Sequence, residues 1–139
     1  MFGRLDTINL AGSGYTTGQV SSQLGAAQKY NPRNIVAMAG TNDSFSEIDA
    51  AKVREAWRKI CEDRRVTIFK VPPTRIKAAN ARIAVLNAIA SQEASKAGRP
   101  VRTLPELVGQ DGLLKQEFSL DGVHLRNRAY ELWRAKLPG

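Results

Sequence analysis

Strand-like and helix-like segments alternate along this chain, which predicts an α/β fold layered α/β/α around a mostly parallel sheet. Three observations carry that expectation. Residues 34–39 (NIVAMA) form a continuous apolar run, the pattern of a strand buried on both faces. Residues 66–71 (VTIFKV) form a second such segment and stop at Pro72-Pro73. Between the two runs Ile48, Val53, Ala56, Trp57 and Ile60 recur at helical spacing.

The remaining elements follow in order. Residues 5–10 (LDTINL) alternate and meet Ala11-Gly12-Ser13-Gly14, which reads as a short strand running into a tight turn. Thr16 or Thr17 is placed to cap a helix through Val20, Leu24 and Ala27, and Asn31-Pro32 ends it. The strand at 34–39 stops at Gly40-Thr41-Asn42-Asp43. Residues 76–97 are Ala-rich and helical, with Gly98 as the C-cap residue. Residues 99–104 suit a last short strand. A loop holding Pro105, Gly109 and Gly112 leads to Asp121, and 128–137 make a final helix. No repeat, low-complexity stretch or linker divides residues 1–139, so one domain is expected.

Composition narrows the function classes. A chain of 139 residues that is 42% hydrophobic can bury a core, which excludes a disordered tail. With only 6% aromatic residues that core should be mostly aliphatic. No apolar run is long enough to cross a membrane, and Met1 to Leu10 holds no signal-peptide apolar region, so a cytoplasmic product is expected from the start shown. The single cysteine, Cys61, excludes an internal disulfide and a Cys-rich zinc site; beside Trp57 and Ile60 it reads as a buried structural thiol. The formal charge of +8 brings nucleic acid into consideration. Yet Arg54, Arg58, Lys59, Arg64, Arg65, Arg126, Arg128 and Arg134 are scattered, and no basic run carries interleaved aromatics. They read as solvated helix faces, and no nucleic-acid partner is expected.

Polar residues cluster in three places: 12–17, 40–43 and 121–124. The first two follow predicted strands and the third leads into the last helix. Ligands of open α/β sheets bind beyond the carboxyl ends of the strands, so the three clusters can converge on one edge. The third holds His124, the only histidine, with Asp121 three residues upstream. Near neutral pH an imidazole is the usual proton shuttle of an active site.

These clusters resemble the SGNH (GDSL-type) hydrolases, a family of serine esterases, lipases and acetylhydrolases. Asn9-Leu10-Ala11-Gly12-Ser13-Gly14-Tyr15-Thr16-Thr17 is similar to the family's second block, N-x-G-x-S-G-x-T. Gly40-Thr41-Asn42-Asp43 matches the third, G-x-N-D, and Asp121-Gly122-Val123-His124-Leu125 the fifth, D-x-x-H. Ala129-Tyr130-Glu131-Leu132-Trp133 is similar to the closing helix. The resemblance implies a flavodoxin-like doubly wound fold and hydrolysis of small acyl esters or acetylated sugars, with no metal or organic cofactor. Position by position it makes His124 the general base and Asp121 its orienting carboxylate. Gly14, through its backbone N–H, and Asn42, through its side-chain amide, become the oxyanion hole. Tyr15 is placed to line the acyl pocket, and Asp43 reads as a structural hydrogen-bonder.

The chain also departs from the family pattern. The G-D-S block that supplies the nucleophilic serine should precede Asn9, and Met1-Phe2-Gly3-Arg4-Leu5-Asp6 contains no serine. Ala11 replaces the usual first glycine of the second block. Three readings are open: an N-terminally short form of a longer chain, a variant with lost or weak hydrolysis, or a substitute nucleophile. For the last, Ser13 is nearest, Ser119 next, and Cys61 poorly placed in mid-helix. Without a first strand the sheet is expected to show a rearranged edge, or a homo-oligomer whose chains complement one another. A non-catalytic binding module that keeps the fold is the alternative of another class, and a basic nucleic-acid-associated domain the third.

Overall fold

The computed structural model describes residues 7–12 and 14–139. Among these residues four helices and three strands alternate: α1 Thr17–Gln28, β1 Ile35–Ala37, α2 Ala50–Cys61, β2 Val66–Phe69, α3 Lys77–Ala97, β3 Val101–Arg102 and α4 Asn127–Arg134. Short 3-10 turns lie at Asp43–Phe45, Pro105–Leu107 and Gln116–Phe118. The strands form one parallel sheet in the order β1-β2-β3, with Ile35 opposite Val66 and Ile68 opposite Val101. The α/β class and the parallel sheet are those the sequence predicts.

Local chemistry explains the boundaries. The Thr16 N–H donates to Gln19 Oε1 at 2.9 Å, closing the entry of α1 from the cap side. Asp49 caps α2 by accepting from the Lys52 N–H at 3.1 Å. Gly98 ends α3, and the next amide, Arg99 N–H, returns to the Ala94 carbonyl at 2.8 Å. Pro72-Pro73 cannot continue the ladder, and β2 stops at Phe69.

Period-two alternation divides the core between the two faces of the sheet. Ile35, Ala37, Val66 and Ile68 face α2 and α3 together with Trp57, Ile60, Leu86 and Ile89, and α1 adds Val20, Leu24 and Ala27. Phe69 faces the other way and packs with Leu104, Leu107, Leu114, Phe118 and Trp133. Its ring meets that of Trp133 at a centroid distance of 5.7 Å. Cys61 is buried in the first cluster, as expected of a structural thiol. No helix among the described residues is long and apolar enough to cross a membrane.

One expected strand is not formed as predicted. Leu5 and Asp6 lie outside the described residues, and residues 7–10 carry no regular structure. Ile8 is largely exposed, and the Asn9 side chain accepts from the Ala11 N–H at 2.9 Å. That local bond offers the backbone a turn in place of a ladder. Among the described residues, β1 therefore pairs only with β2.

Candidate active site

The loop after β1 carries Asn42, the turn before α1 carries Gly14, and the loop before α4, anchored on the segment after β2, carries Asp121 and His124. The candidate residues thus meet the carboxyl edge of the sheet, where open α/β folds bind ligands. After β1 the chain turns through Gly40 and Thr41 into the 3-10 turn Asp43–Phe45, with Asn42 at its N-cap. Asp43 joins this loop to the start of α1: its Oδ2 accepts from the Thr17 N–H at 2.9 Å and from Thr17 Oγ1 at 3.0 Å. Thr17 is fully buried. Beside this bridge Asn42 Nδ2 donates to the Tyr15 carbonyl at 2.9 Å. Gly14, one residue before Tyr15, has φ +73°, a left-handed conformation that glycine adopts without strain. Asn42 and the Gly14 turn are thus held together by two tethers between segments far apart in sequence. Arg82 of α3 adds a third tie, donating to the Ser44 carbonyl at 3.1 Å.

The Asp121–His124 loop is anchored on the segment after β2. The Arg75 N–H donates to the Gly122 carbonyl at 2.8 Å, and the Arg75 guanidinium donates to the Leu114 carbonyl at 2.7 Å. Gly122 has φ +83°, and a Cβ there would lie 3.1 Å from that of Arg75. Within the loop, Asp121 Oδ1 accepts from the Val123 N–H at 2.9 Å and the His124 N–H at 2.8 Å. Asp121 Oδ2 lies 2.6 Å from His124 Nδ1. The His124 ring bond, and then the two backbone N–H groups, hold the Asp121 carboxyl well below the usual carboxylate range. With Nδ1 against the carboxylate, the geometry fits the tautomer that leaves Nε2 with a lone pair. The ring is exposed.

The structure therefore brings Asp121 to His124, and Asn42 to the Gly14 turn. Among the described residues no hydrogen bond or ion pair joins one pair to the other; each rests on its own loop at the same sheet edge. Tyr15 folds back on its own turn, since a Cβ on Gly12 would lie 2.2 Å from the Tyr15 ring.

Of the substitute nucleophiles, Ser13 lies outside the described residues. Ser119 is buried, and its Oγ donates to the His124 carbonyl at 2.7 Å, not to the ring. Burial pushes the Cys61 thiol up to about 11, so it is protonated at neutral pH. Arg75 and Arg82 have no local sequence signal, because each ties residues at least 38 positions away in the chain. Ser119, two residues before Asp121, is a nucleophile candidate by sequence, but its hydroxyl is engaged by the backbone of the loop.

The fold is that of an open parallel α/β domain with loops gathered at the carboxyl edge of the sheet, and the comparisons name its family. Residues 2–132 match the GDSL-like lipase/acylhydrolase family, and the chain belongs to that family. A lipase/acylhydrolase from Enterococcus faecalis is similar at 24% identity and TM-score 0.73, over 88% of this chain and 68% of that one. A GDSL-like lipase from Bacteroides thetaiotaomicron is similar at 24% identity and TM-score 0.75, over 88% and 69%. An acetyl xylan esterase shares the fold at 16% identity and TM-score 0.67, over 89% and 77%. At these identities the likeness establishes the fold. Comparison with curated proteins finds no match.

Proposed function

We propose that the chain is an ester hydrolase domain in which His124 is the general base and Asp121 its orienting carboxylate. Asn42 Nδ2 and the Gly14 N–H form the oxyanion hole. In this reading His124 Nε2 takes the proton of the attacking hydroxyl, and Asp121 balances the imidazolium charge through Nδ1–H. The carbonyl oxygen gains negative charge in the tetrahedral intermediate, and the two donors stabilise it there. Each such donor contributes about 2.7–4 kcal/mol in enzymes where one has been removed. His124 then returns the proton to the leaving alcohol, and water completes the cycle by the same path. The observation that carries the reading is the 2.6 Å Asp121–His124 contact on a loop anchored at the carboxyl edge of the sheet.

The substrate in this reading is a small acyl ester or an acetylated sugar. The nucleophile in this reading is Ser13 or a serine beyond residues 1–139. A second copy of the chain covers the outer edge of β1. Ile35 N–H donates toward β2, to the Arg65 carbonyl, so the alternating Val36 turns its backbone groups to the other edge, where no described strand pairs.

The test is p-nitrophenyl acetate hydrolysis by the chain and by His124→Ala, Asn42→Ala and Ser13→Ala, with light scattering for the mass. The reading expects turnover that His124→Ala abolishes and Asn42→Ala lowers about 100-fold or more. Turnover no higher than in His124→Ala removes it, and favours the second reading, a binding module that keeps the fold. That second reading draws on the fact that no described serine bonds the His124 ring. A monomeric mass removes the paired edge.

A further inference from the structure

We infer that Ser119 is the positioning residue of the Asp121–His124 pair, an inference that rests on reading that pair as an acid–base couple. The side chains of Asp121 and His124 are 54% and 83% exposed. A pair so open to water gains little from its own attraction and loses side-chain freedom, so some other group must hold it in register. Ser119 is 6% exposed and sits beneath the loop. Its Oγ accepts from the Gly122 N–H at 2.9 Å and donates to the His124 carbonyl at 2.7 Å. Asp121 Oδ1 lies 3.2 Å from the same oxygen.

A hydroxyl carries one hydrogen, and the shorter contact assigns it to the His124 carbonyl. Ser119 also forms an antiparallel bridge with Leu125. One buried oxygen therefore joins the middle of the loop, at Gly122, to its end, at His124. With the loop closed, the two backbone N–H bonds occupy Asp121 Oδ1, and Oδ2 is left facing His124 Nδ1. Ser119 acts on the ring through the backbone that carries it. The same geometry removes it as a nucleophile, because its hydrogen points at a carbonyl and its oxygen is covered.

His124 is the only histidine, so the imidazole 15N spectrum reports a single ring. In the unsubstituted protein the neutral ring is expected as the Nδ1–H tautomer. Ser119→Ala is expected to shift it toward the Nε2–H form that unrestrained histidine favours, while Ser119→Thr, which keeps the hydroxyl, restores Nδ1–H. A folded Ser119→Ala that keeps the Nδ1–H ring overturns the inference. Should Ser119→Ala fail to fold, hydrogen exchange at the Gly122 amide of the unsubstituted protein decides. Exchange slowed about tenfold or more supports the closed loop, and unprotected exchange overturns it. Neither measurement needs turnover, so a chain inactive on esters loses the hydrolase reading while Ser119 is judged separately.

Discussion

Replacing Asp43 by alanine should loosen α1 and the oxyanion side of the site together. α1 is a weakly amphipathic helix whose only fully buried residue is Thr17; Val20, Leu24 and Ala27 are partly covered. Its attachment therefore draws on the Asp43 bridge as well as on that packing. Asp43→Ala leaves the Thr17 amide and hydroxyl without an acceptor, and an unpaired buried donor costs about 1–3 kcal/mol. Loss of a negative charge at a helix N-terminus adds about 0.3–1 kcal/mol. Asp43 is half-buried, so water can reach one of the orphaned donors, and the expected loss is about 2–4 kcal/mol. Asp43→Asn keeps an acceptor and should lose about 1 kcal/mol. Urea unfolding followed by Trp57 and Trp133 fluorescence measures both, with an unchanged m-value as the sign that only stability moved. Thr17→Val removes the hydroxyl alone, and the double-mutant cycle should return a coupling of about 1 kcal/mol. A loss in Asp43→Ala under about 0.5 kcal/mol, or strict additivity with Thr17→Val, refutes the bridge as what holds α1 to the loop after β1.

Three further outcomes are expected. Gly122→Ala forces a left-handed backbone on a residue with a Cβ and crowds Arg75, so thermal melts should show a loss of about 1–2 kcal/mol. Cys61, its thiol raised to about 11 by burial, should not react with a thiol reagent at pH 8 until denaturant is added; rapid native labelling contradicts its burial. Acid should destabilise the fold in a defined window. The Arg65 guanidinium holds the Asp63 carboxyl low, and Lys96, then Arg54, do the same for Glu93. Depressed carboxyls bind fewer protons folded than unfolded, so their stabilisation is complete above about pH 4–5 and lost as pH falls through the folded values. Urea midpoints should fall below that pH, and Glu93→Gln should flatten the decline; an unchanged slope contradicts the role of the Glu93 ion pairs.

The sequence by itself determined whatever depends on near neighbours. Apolar runs marked β1 and β2, the proline pair and Gly98 marked where elements stop, and three-residue spacing placed Asp121 against His124 within one turn. These are local interactions, fixed by chain geometry over a few residues. Residues 7–10 show the limit: their alternation suits a strand, but the Asn9 side chain bonds the backbone locally and no ladder forms there. Tertiary structure alone decided the contacts between distant segments. Asp43 meets Thr17, and Arg75 meets Gly122, only because packing brings the loop after β1 to the start of α1 and the segment after β2 to the loop before α4. It also decided the partners of Ser119, since the direction in which a hydroxyl donates depends on the loop around it and not on its position in the chain.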